Sequence, residues 1–85
     1  MTKQSHRFVE KYEGFMGFGF SREVDEATLI CYLQKFSDDE LMSQIINRMS
    51  ESDMRQLFEL LSDLMKRYLT GKEYRRYFLK EENEE

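Results

Sequence analysis

The residues able to do chemistry are few and poorly spaced for it. His6 is the only histidine, and no cysteine or second histidine stands at ligand spacing from it, so a transition-metal site lacks convergent donors. Cys31 sits among Ala27, Leu29, Ile30 and Leu33, a setting in which a thiol packs as a small hydrophobe. Asp38, Asp39 and Glu40 are hard-metal donors, but the glycine and the alternating ligand spacing of a calcium loop are missing. Behind Ser37, the same run reads as the acidic first turn of a helix. Glu59 and Asp63 lie one helical turn apart, as paired carboxylates would. Arg55 and Arg67 extend that row by four residues on either side, which is the charge ladder of a solvated helix face. General acid-base catalysis requires an enclosed site that shifts a pKa, and no such constellation is present. The expectation is a protein that is not an enzyme and uses no metal or cofactor.

Two other groups of residues are suited to binding. Phe15, Phe18 and Phe20 alternate with Gly14, Gly17 and Gly19. Glycine permits tight backbone and contributes no packing of its own, so these rings must find cover. Folding inward against the core is the favoured reading; an exposed apolar patch for a partner or an apolar ligand is the other. Further on, residues 66–80 interleave Lys66, Arg67, Lys72, Arg75, Arg76 and Lys80 with Tyr68, Tyr74, Tyr77 and Phe78. The favoured reading is structural, with the tyrosines packed on the bundle and the cations solvated; a protein contact comes next, and cations meeting phosphates while the rings stack on bases comes last. The partner-binding residues selected are Phe15, Phe18, Phe20, Arg75, Arg76 and Tyr77.

Such side chains need helices to position them. Proline is absent, glycine is scarce, and Leu, Met, Glu, Lys, Arg and Gln are plentiful, a composition favouring helix over sheet. Residues 5–13 carry Phe8, Val9 and Tyr12 on one face, with a stop at Gly14 and an irregular connection over 14–20. From Ser21 or Asp25 a second helix bears apolar residues around most of its circumference, so it is expected to be the most enclosed element; a strand through Thr28 to Leu33 is the less favoured alternative. Ser37 with Glu40 suggests a capping box opening a third helix striped by Leu41, Met42, Ile45, Ile46 and Met49. Ser50 or Ser52 opens the longest helix, about residues 52–69. Its apolar residues span an arc of about 140°, wide enough to touch two neighbours and act as the spine of a bundle. Thr70 with Glu73 suggests a third box before a last helix, and an acidic tail at 81–85 should fray.

The expected class is therefore all-α: one domain over residues 1–85, a small bundle of four to five short helices around a shared apolar core. Eighty-five residues support only a marginal core, so a second copy of the chain is an expected partner. The single cysteine suits a reducing compartment, no 18-residue apolar run is available to span a membrane, and the first 20 residues lack a signal-peptide apolar block. A cytoplasmic location follows. The formal charge of -4 counts against nucleic acid as the default partner. Charge is nonetheless segregated: residues 21–63 hold four basic and ten acidic side chains, residues 64–80 six basic and one acidic. The leading expectation is a non-enzymatic protein-protein interaction module, an adaptor, regulator or subunit able to form a homodimer. The alternatives are nucleic-acid or anion binding through residues 66–80 and apolar small-molecule binding between helices.

Overall fold

The computed structural model of the protein is described for residues 6–81. It is all-α, with no strand among the described residues, in agreement with the class expected from composition. Five α-helices follow in order: α1 (Arg7–Lys11), α2 (Arg22–Phe36), α3 (Asp39–Ile45), α4 (Glu51–Tyr68) and α5 (Gly71–Glu73). The last runs directly into a π-helical turn, Tyr74–Phe78. The chain groups into two compact units, one within Ser5–Arg48 and one beginning at Met49.

In the first unit, α2 is the organising element. Ser21 caps it by accepting from the Val24 amide, while Glu23 and Asp25 suit the positive end of its dipole. Val24, Ala27, Thr28 and Cys31 share one side of the helix at 100° per residue. That side packs on α1 and on the connection between the two helices, and it contains the only buried residues among those described, Thr28 at 4% and Cys31 at 2% exposure. α1 is tied to the far end of α2: the Val9 amide donates to Gln34 Oε1 at 2.9 Å, and His6 Nε2 lies 2.8 Å from Ser37 Oγ. The opposite side of α2, with Leu29, Tyr32 and Leu33, is exposed. As expected, α2 is the most enclosed of the helices among the described residues, but it is covered on one side alone, because α1 is too short, at five residues, to wrap a helix of 15.

The start of α3 also differs from the expected box. Asp38, and not Ser37, is the N-cap, its Oδ2 accepting from the amides of Glu40 and Leu41. Ser37 is drawn instead to the preceding helix, where its hydroxyl donates to the Gln34 carbonyl. Within α3 the stripe is only partly covered, Met42 and Ile45 being half-buried and Leu41 exposed.

In the second unit, Ser50 caps α4 by accepting from the Asp53 amide. The capping box expected at Thr70 is present in both directions: Glu73 N–H to Thr70 Oγ1 at 3.1 Å and Thr70 N–H to Glu73 Oε1 at 2.9 Å. The π register is visible in the Leu79 amide donating to the Tyr74 carbonyl, and the segment ends with Lys80 in the left-handed region at φ 60°. α4 has a far more two-sided sequence than α2, yet none of its residues is buried. It is therefore not the enclosed spine that its wide stripe suggests. The acidic tail, beyond Glu81, lies outside the described residues.

Each fully buried aliphatic side chain stabilises by about 1.5–3 kcal/mol, whereas ordering a residue costs roughly 1.5 kcal/mol. Cys31 is the only buried apolar residue among those described, so burial of whole side chains contributes little here.

Candidate functional site

The surface around the phenylalanine connection is built from Thr28 outward. Its hydroxyl accepts from the Gly17 amide at 3.0 Å and donates to the Gly17 carbonyl at 2.9 Å, holding one residue of the connection at both ends. Asp25 Oδ1 accepts from the Gly19 amide at 2.8 Å, and Tyr12 Oη donates to the Phe15 carbonyl at 2.8 Å. Gly19 has φ +94°, a left-handed backbone that a side chain would disfavour. Three polar groups thus fasten a segment with no regular structure, and the rings between them are left to project.

Phe15, Phe18 and Phe20 are 59, 69 and 67% exposed. The favoured reading, that they complete the core, is corrected; the connection lies on α2 with its backbone bonded inward. Phe15 and Phe20 meet edge to face, centroids 5.0 Å apart, a geometry favoured by the ring quadrupoles. Phe18 stands on the other side of Gly17, at a cleft of about 280 Å³ shared with Met16, Leu29 and Tyr32. That cleft joins the connection to the exposed side of α2. Leu29 and Tyr32 consequently belong to the same apolar surface, and exposed Leu33, one turn on from Leu29, extends it along α2. The available signal was an apolar residue set running right around α2, more than one short neighbour can cover.

Arg75, Arg76 and Tyr77 lie together in the second unit, in the π-helical turn. The Arg76 guanidinium is 5.6 Å from the Tyr77 ring centroid, and Arg67 is 5.7 Å from that of Tyr68, both within cation-π range. Tyr74 and Phe78 stack at 5.2 Å. The sole ion pair among the described residues is Arg22 with Glu26 at 2.7 Å, so these arginines are not neutralised by carboxylates there. The two residue groups belong to different units.

Cys31 is free and buried. Arg55, Glu59, Asp63 and Arg67 are all exposed along α4, in keeping with a solvated face. His6, Glu10, Lys35, Asp38 and Asp39 edge an open polar cleft of about 660 Å³, and no group of three His, Cys, Asp or Glu among the described residues is arranged to hold a metal ion. A cleft of about 500 Å³ where α4 meets α5 is lined by Met65, Leu69 and Tyr74 with several polar neighbours. No helix among the described residues is long and apolar enough to cross a membrane. The chain matches no family model, no curated protein and no solved structure.

Proposed function

We propose that this protein is a non-enzymatic, cytoplasmic protein-protein interaction module whose principal contact is the phenylalanine connection with the outer side of α2. The observation carrying this reading is the exposure of Phe15, Phe18 and Phe20 on a backbone already fastened by Thr28, Asp25 and Tyr12. Aromatic anchors held in place before binding lose little entropy on contact. Their continuity with Leu29, Tyr32 and Leu33 supplies an apolar centre. A complementary partner presents apolar side chains from a helix or extended segment. Free, buried Cys31 suits a reducing compartment.

The test is affinity capture with the full chain beside its Phe18→Ser and Phe20→Ser variants. Partners retained by the wild type and lost by both variants, with helical circular dichroism unchanged, support the reading. Equal recovery by all three chains refutes it.

A second reading, anion or nucleic-acid binding through residues 66–80, is favoured by Arg67 and Arg76 lying over tyrosine rings with no carboxylate partner among the described residues. It requires binding to RNA or DNA that falls steeply with salt and weakens on Arg75→Glu or Arg76→Glu substitution. Salt-insensitive or absent binding removes it.

A further inference from the structure

We infer that α4 is a self-recognition helix, pairing antiparallel with α4 of a second copy of this chain. The first support is its apolar face. Met54, Leu61 and Tyr68 recur every seven residues with Leu57 and Leu64 between them, the spacing of a helix-helix seam. Phe58 lies along one edge and is 71% exposed, while Tyr68 is 70% exposed and Met54 and Leu61 are exposed as well. Leu57 and Leu64 are only half-buried. A monomer gains nothing from so ordered a stripe left facing water.

Charge complementarity identifies the occupant. Asp53 and Arg67 fall on the same edge of the seam, 14 residues apart, with Leu60 midway between them. Antiparallel pairing with Met54 facing Leu64 of the second copy, and Leu57 facing its Leu61, places Asp53 beside the second copy's Arg67 twice, once at each end. Leu60 then meets Leu60, and Phe58 meets Phe58, about the two-fold axis. Neither Asp53 nor Arg67 has an ion pair among the described residues. The helix termini agree: Glu51 and Asp53 lie in the first turn and Lys66 and Arg67 in the last, so antiparallel packing sets each acidic end against a basic end and opposes the macrodipoles. A parallel pair would bring the acidic ends together and the basic ends together.

The area sets the strength. Eighteen residues span about 27 Å, and the face covers roughly 600 Å² on each copy, or about 1,200 Å² in all, at the lower bound for a specific interface. The dimer is therefore concentration-dependent, with a dissociation constant on the order of micromolar. It uses none of the residues of the phenylalanine connection, so its failure leaves the reading of that connection standing.

Analytical ultracentrifugation of the full chain from about 1 to 500 µM tests the pairing at its expected affinity. A reversible monomer-dimer equilibrium is expected. Phe58→Glu abolishes it, and Asp53→Arg or Arg67→Asp alone weakens it about tenfold. Mixing the two charge variants restores dimer as a heterodimer, because each Arg then meets an Asp, and this rescue shows that both variants are folded. Monomer at every wild-type concentration overturns the inference. So does a dimer indifferent to Phe58→Glu, or charge variants whose mixture gains nothing.

Discussion

Thr28 is at once the buried polar residue of the first unit and the anchor of the candidate site. Replacing it with valine keeps the branch and removes the hydroxyl, leaving the Gly17 amide and carbonyl without their partner. The Thr28→Val variant is expected to lose about 1–3 kcal/mol of stability in urea denaturation, with altered proton shifts for the Phe15, Phe18 and Phe20 rings. Unchanged stability and unchanged ring shifts would show that the hydroxyl does not hold the connection. Gly17 bears on the same rings by another route. A Cβ there would stand 2.6 Å from Phe20 and 2.9 Å from Phe15, too close for either ring to stay where it is. Both rings are exposed and can swing outward, so Gly17→Ala should cost little stability while breaking their edge-to-face contact and weakening partner capture. Loss of the nuclear Overhauser contacts between the two rings is the readout. The sequence identified Phe15, Phe18 and Phe20 as binding candidates by type, but no pattern in it linked Gly17 to a threonine 11 positions away.

At the scale of elements, the helix starts were legible because a cap is a local event: a side-chain oxygen and an amide two or three residues on decide it. Ser21, Ser50 and Thr70 perform that task as their sequence context suggests. The displacement at α3 came from competition. Ser37 hydrogen-bonds back to Gln34 and sits beside His6, and Asp38 takes over the amides of the next helix. Asp38→Ala is thus expected to cost about 1 kcal/mol, with Ser37→Ala costing less through α3 itself; thermal melts of the two variants order them. The reverse order would restore Ser37 as the cap. That part of α2 stays uncovered was legible from an apolar set running right around it, but which side is covered was not, since an apolar helix face looks the same in sequence whether a neighbour lies on it or water does.

For the whole molecule, marginal burial and self-association are two sides of one energetic argument. Anything that binds the folded chain and not the unfolded one raises its stability by mass action. The melting temperature should accordingly climb with total chain concentration, and Phe58→Glu should flatten that dependence. A wild-type melting temperature constant over a hundredfold range of concentration would mean that the chain needs no second copy to stay folded. The segregation of basic residues into 66–80 and acidic residues into 21–63 was plain in the sequence as arithmetic on charge.

Composition and local signals alone determined that this chain is helical, roughly where its helices begin, and which aromatic and charged residues could face a partner. These properties depend on φ preferences, caps and 3.6-residue periodicity, all settled within a few neighbours. Tertiary structure decided that Phe15, Phe18 and Phe20 stay outside, that Leu29, Tyr32 and Leu33 join their surface, and that the α4 stripe is left open. Those outcomes depend on which helix is long enough to cover which, and on polar bonds such as Thr28 to Gly17 that form only after distant segments have met.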